Sequence, residues 1–142
     1  MSEGLSWAGA DRFLGEFREL RPGRPDGPSL RAAVRDKGEE YETLLVRYLQ
    51  AGTALVVSGS GAHDVLDAEA RYIGPLMVLT DGEWAWYSDL AYYVERYHVP
   101  LERRFVERVR ALEGVPPAVG HAELVAMEEA MLGDLDQDGP AH

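Results

Sequence analysis

From Tyr41 to Leu49, apolar side chains fall at Tyr41, Leu44, Leu45, Tyr48 and Leu49. That spacing places all five on one helical face and predicts a core-facing helix over residues 39–50. Glu39 and Glu40 sit in its first turn, where the helix dipole favours negative charge, and Gly52 is a natural stop. The same periodicity, carried by Phe13, Leu14, Phe17 and Leu20, predicts a helix over residues 10–20. Ser29 is placed to cap a short helix from Leu30 to Lys37 that ends at Gly38. Three further helices follow later in the chain. Leu90, Tyr93, Val94 and Tyr97 mark one that is capped by Ser88 or Asp89 and closed by His98. Leu101, Phe105, Val109 and Leu112 mark a second, opened by Pro100. Leu124, Met127 and Met131 mark a third, over residues 123–132.

Between these helices the pattern shortens to strand length. Thr53–Val57 reads as a buried strand, followed by a flexible turn at Ser58–Gly61; residues 62–73 fit helix and loop equally well. Two apolar runs then flank Asp81-Gly82, a pair suited to a type I′ turn because both central residues need positive φ. In that hairpin Thr80 pairs with Glu83 and Leu79 with Trp84. One face carries Met77, Leu79, Trp84 and Trp86; the other carries Leu76, Val78, Thr80, Glu83, Ala85 and Tyr87. The expected fold is a single α+β domain over residues 1–132, a small antiparallel sheet with a Trp-rich hairpin packed on several helices, followed by an acidic, disordered tail at 133–142.

Composition narrows the chemistry. The chain has 142 residues and no cysteine, which excludes disulfides, thiol catalysis and cysteine-ligated metal sites. No apolar run is long enough to span a bilayer, and the first residues lack the basic start and apolar stretch of a signal peptide; a cytoplasmic location is expected. The net charge is −11 and unevenly spread, with ten carboxylates against two arginines in residues 39–95. Such a field repels phosphate backbones and attracts basic partners. The basic stretch Arg96, Arg103, Arg104, Arg108 and Arg110 is interleaved with Glu102 and Glu107 and reads as a solvated face.

The candidate motifs mostly reduce to local structure. Asp134-Leu-Asp136-Gln-Asp138-Gly139 matches the opening of a calcium loop, but the sequence given does not contain the carboxylate required six residues past the glycine. Ser58-Gly59-Ser60-Gly61 lacks the lysine of a phosphate-binding loop and the glycine spacing of a nucleophile elbow. His63, His98, His121 and His142 show no metal-ligand spacing. Asp81, Glu83, Asp89 and Glu95 cluster around the hairpin, with turn and capping roles for Asp81 and Asp89. Six aromatics, Trp84, Trp86, Tyr87, Tyr92, Tyr93 and Tyr97, lie within 14 positions.

Residues 80–101, TDGEWAWYSDLAYYVERYHVPL, resemble a T-D-G-x-W-x-W-x-x-D-L-x-Y-Y-V-x-x-Y-x-V pattern of small proteins from high-GC bacteria. Tyr48–Gly52 and Asp64–Asp67 belong to the same likeness, which spans residues 44–106. The resemblance implies a hairpin followed by a helix. It brings no activity and no catalytic residue, and by class analogy suggests an immunity-like partner protein.

The expected function is a non-enzymatic interaction module, immunity-like or regulatory. Glu83, Trp86, Tyr87, Asp89 and Tyr92 form its expected acidic, aromatic contact surface. The expected partner is a basic protein, with no nucleic acid, membrane, metal or cofactor, and self-association left open. The alternative is a small-molecule pocket, binding or enzymatic, between the hairpin and the following helix.

Overall fold

A computed structural model describes residues 13–15, 17–20 and 27–138, with the side chains of 58 and 130–138 left out of the description. The fold is α+β. In chain order it comprises β1 (Phe13–Leu14), α1 (Leu30–Ala33), α2 (Glu42–Gln50), β2 (Thr53–His63), β3 (Tyr72–Thr80), β4 (Ala85–Tyr87), α3 (Leu90–Tyr97), α4 (Arg103–Ala111) and α5 (His121–Asp138). Among the described residues the sheet has four strands in the order β1-β4-β3-β2. β2, β3 and β4 are antiparallel neighbours, and β1 joins β4 in parallel, so the sheet is mixed rather than purely antiparallel.

Side-chain alternation along the strands separates two apolar clusters. On one face, Leu79, Trp84 and Trp86 pack with Leu45, Tyr48 and Leu49 of α2, Leu90, Tyr93 and Val94 of α3, and Phe105 and Val109 of α4. On the other, Phe13, Leu55, Val78 and Ala85 pack with Met127 of α5. The two residues of β1 alternate in the same way: Phe13 joins the second cluster and Leu14 the first.

Phe105 is the hub of the larger cluster, with ring centroids 5.5 Å from Tyr48 and 5.6 Å from both Trp84 and Trp86, each edge-on. Trp86 is fully buried, and its indole N–H donates to the Leu49 carbonyl at 3.1 Å. Burying an indole removes about 200 Å² from water, worth about 5 kcal/mol at the usual area coefficient. The ring closes against Gly52, where a Cβ would lie 2.7 Å from Trp86 Cζ2. Gly52 therefore does more than end α2, because its missing side chain is where the indole sits.

Several elements differ from the sequence expectation. Residues 13–15 and 17–20 do not form a helix: Phe13–Leu14 are a strand, and Gly15 has φ +74°; the rest of the expected helix lies outside the described residues. Phe13, Leu14, Phe17 and Leu20 are buried nonetheless, so the apolar content is right and its period is tertiary in origin. Ser29 does cap α1, accepting from Ala32 N–H at 3.1 Å, but the helix ends at Ala33. Ser58–Gly61 lies within β2, with a shift of register between Val57 and Gly61 instead of a turn. α5 continues past Leu132 to Asp138, so Asp134, Asp136 and Asp138 lie on helical backbone and not in a calcium loop.

The hairpin forms, with a different turn. Thr80 pairs with Ala85, Leu79 with Trp86 and Val78 with Tyr87, leaving Asp81–Trp84 as a four-residue loop. Asp81 Oδ1 accepts from the amides of Glu83 (2.8 Å) and Trp84 (2.7 Å), while the Thr80 hydroxyl donates to the Trp84 carbonyl at 2.7 Å and accepts from Gly82 N–H at 3.0 Å. These side-chain bonds satisfy the loop backbone and favour it over the two-residue turn. The offset from the expected pairing is even, so the residues that pair keep their expected faces, while Glu83 and Trp84 move into the loop.

Candidate functional site

Two polar clusters sit at opposite ends of β3. They are built from residues that the apolar stripes bring in, because a buried tyrosine ring carries a hydroxyl that needs a partner.

At the hairpin tip, Tyr48 of α2 donates its hydroxyl proton to Asp81 Oδ2. Arg108 of α4 donates from Nε to the same oxygen at 2.8 Å and from Nη1 to Glu83 Oε1 at 3.0 Å. The Asp81 side chain is fully buried, whereas those of Arg108 and Glu83 are partly exposed. Burial, together with the neighbouring carboxylate, raises the Tyr48 hydroxyl well above its ordinary range and keeps it a proton donor. The cluster ties α2, α4 and the hairpin tip through one carboxylate with no unpaired acid or base. Its chemistry is that of a structural tie.

At the far end of β3, Asp64 follows β2. Its Oδ2 accepts from Tyr92 (2.7 Å) and Tyr97 (2.6 Å), and its Oδ1 from the Leu66 amide (2.8 Å). Tyr93 donates to the His63 carbonyl at 3.1 Å and accepts from Val65 N–H at 3.0 Å. Three tyrosines of one short helix thus hold the 64–71 loop, which closes on itself through Asp64 N–H to the Arg71 carbonyl at 2.8 Å. Burial pushes the Asp64 carboxyl upward, but the Tyr97 and Tyr92 hydroxyls and the Leu66 amide outweigh it and hold the group below its ordinary value. Tyr92 is pushed up to about 12, by burial and by the carboxylate it serves. Tyr92 and Tyr97 are half-buried, and Arg96 lies 5.7 Å over the Tyr97 ring.

A third polar contact joins α2 to the end of α3. His98 adopts φ +58° as the C-cap of α3, and its Nδ1 is 3.0 Å from both carboxylate oxygens of Glu42. Arg35 donates from Nε to the His98 carbonyl at 2.7 Å and pairs with Glu39 at 3.1 Å. Beside this contact is a cavity of about 50 Å³ lined by Arg35, Glu39, Tyr41 and Glu42. An open groove of about 310 Å³ runs along α2 past Glu42, Arg47, Gln50 and Glu95.

The expected contact residues are not brought together. Glu83 is at the hairpin tip, partly exposed and tied to Arg108. Tyr87 lies on the second sheet face, its ring 5.0 Å from Phe13. Tyr92 is at the far end of β3 with Asp64. Trp86 is wholly inside the core, and Asp89 is buried at the start of α3. Neither presents a side chain to a partner, because the face carrying Trp86 is the one that α2, α3 and α4 cover.

Asp64, Tyr97, Tyr48 and Arg108 were not singled out from the sequence as a site. For Tyr48 the signal was a tyrosine inside an otherwise apolar helical stripe. The arginines of the basic stretch are largely engaged: Arg108 as above, Arg103 with Glu107 at 3.4 Å, and Arg110 over the Tyr41 ring at 5.3 Å. Among the described residues no group of three or more histidines or carboxylates is placed to hold a metal ion, and no helix is long and apolar enough to cross a membrane. Comparison of the chain with protein-family models, with curated proteins and with solved structures finds no match to any of them.

Proposed function

We propose that the chain is a non-enzymatic interaction module that docks a basic protein partner on the tyrosine-bearing end of α3 and the 64–71 loop. The observation that carries this reading is the pair Tyr92 and Tyr97, half-buried and each fixed by its hydroxyl to Asp64. Tyrosine supplies large amphipathic contact area, and a ring already held in place has little conformational freedom left to lose on binding. Exposed Val65, Glu95 and Arg96 surround the pair with the mixture of apolar, acidic and guanidinium groups common in binding hot spots. The net charge of −11 favours a basic partner.

The contact surface in this reading keeps Tyr92 from the sequence expectation and gives up Trp86 and Asp89, which are buried. For the small-molecule alternative, Trp84 and Trp86 are packed on Phe105, while Asp81 and Asp89 are buried.

The test is affinity capture on the immobilised chain across a salt series, comparing wild type with Tyr92→Ala, Tyr97→Ala and, as a control, Arg104→Ala. The reading expects a basic protein released by salt, lost with both tyrosine variants and retained with the control. Capture indifferent to the tyrosine variants, with their thermal midpoints showing them folded, overturns it.

A further inference from the structure

Buried carboxylates in this fold are paired with care. Asp64 and Asp81 each use both oxygens, on tyrosine hydroxyls, an arginine and backbone amides. Asp89 is the exception. It is 8% exposed, and its Oδ1 is the one buried side-chain polar atom without a hydrogen-bond partner among the described residues. An orphaned polar atom in a native interior calls for an explanation, since it gives up its water partners and gains nothing in their place.

The backbone explains how the orphan arises. Asp89 is the N-cap of α3, but its φ −83° and ψ −6° are helical, not the extended values of a capping residue. The side chain therefore makes no capping bond, and the Asp89 carbonyl alone serves the helix, accepting from the Tyr92 and Tyr93 amides. Ser88, the other expected cap, is turned to β3: its hydroxyl donates to the Pro75 carbonyl at 3.0 Å and accepts from Met77 N–H at 2.9 Å.

Among the described residues, no charged side chain bonds to the carboxylate. On its own helix, Tyr93 is the titratable group that feels its charge, and Asp64 adds a second negative charge acting on that same hydroxyl. β3 meets the junction through Pro75 and Met77, and the turn after β1 meets it at Gly15 against Leu90; none of these is charged.

We propose that Asp89 is a proton-operated latch at the β4–α3 junction: α3 seats fully while this carboxyl is neutral, and ionisation loosens the helix and the 64–71 loop that it holds. Burial pushes the group up to about 6, from 3.8 when exposed, with its own amide the opposing influence. The native state thus holds a proton that the unfolded chain releases. The stabilisation is complete below about pH 4 and is lost as pH rises through about 6. Asp64 anchors the other side of the loop, and its hydrogen bonds hold its carboxyl below the ordinary value, so its titration lies on the acid side of this range.

Urea unfolding of wild type and Asp89→Asn at pH 4.5 and 7.5 tests the latch. The amide variant keeps the shape and removes the titration. The folding constant of wild type relative to the variant is expected to fall about 30-fold between the two pH values. A ratio that is constant or rises with pH overturns the proposal. Should Asp89→Asn not fold, carbon NMR of the wild-type aspartate carboxyls decides: a midpoint for Asp89 near 6 supports the latch and one at or below 4 overturns it. Hydrogen exchange adds the local readout. Corrected for intrinsic rates, Tyr92–Tyr97 amides of wild type should lose protection at pH 7.5, and pH-independent protection overturns the loosening of α3.

Discussion

The Tyr48 hydroxyl reaches across 33 residues of chain to donate to the Asp81 carboxylate, joining the last turn of α2 to the hairpin tip. Arg108 meets the same oxygen from α4, so three elements distant in sequence share one buried anion. Tyr48→Phe removes one charge-assisted bond and should cost about 2 kcal/mol. Arg108→Met leaves the carboxylate without its cation and should cost about 3 kcal/mol. Because both act on one oxygen, the double variant should differ from the sum of the single losses by at least 0.5 kcal/mol, read from urea unfolding.

Gly52→Ala should destabilise the fold by about 1–3 kcal/mol. The new methyl would meet Trp86 Cζ2 at 2.7 Å and Leu79 Cβ at 3.1 Å, and neither is a free side-chain end. The indole must shift, so tryptophan emission should move to longer wavelength as the thermal midpoint falls. An unchanged midpoint would mean that the ring has room the packing does not show.

Glu19 contributes to the behaviour in acid. Its carboxylate accepts from the Leu30 amide (2.6 Å), the Arg31 amide (3.1 Å) and the Ser29 hydroxyl (2.9 Å), holding the start of α1. Burial acts to raise its pKa, but these bonds prevail and lower it from 4.5 to about 2. A depressed native value contributes stability that is complete above about 4.5 and is lost as pH falls through about 2. Glu19→Gln should flatten that acid limb of thermal midpoint against pH and leave the slope above pH 6 unchanged.

Asp64→Ala should free Tyr92 and Tyr97 together and leave the Leu66 amide unpaired. A global loss of about 2 kcal/mol is expected. The sharper readout is limited trypsin digestion: cleavage after Arg71 should quicken well before the remainder of the chain becomes susceptible.

Much of the helical framework was legible because its stripes are regular. Leu45, Tyr48 and Leu49 are buried as their spacing predicts, as are Phe105 and Val109. The two faces of the hairpin were also legible, since an even offset in pairing leaves alternation intact. Its turn was not, because the bonds that Asp81 and Thr80 make to the loop backbone outweigh the preference of the Asp-Gly pair. Phe13–Leu14 misled for a different reason: the two residues are held by pairing with β4, a partner far along the chain, and not by a helix of their own. The polar clusters were least legible. Asp64, Tyr92 and Tyr97 meet only after β2, the loop and α3 are in place, and no local spacing announces a carboxylate shared by two hydroxyls.

The parallel pairing of β1 with β4 also sets a timetable for synthesis. Phe13 opposes Ala85 and Leu14 opposes Trp86, so β1 leaves the ribosome well ahead of the strand it joins. At ordinary elongation rates that interval is roughly 4 to 14 seconds. For that time two apolar residues that belong on opposite faces of a sheet have no sheet to enter, and a nascent-chain chaperone has its window there.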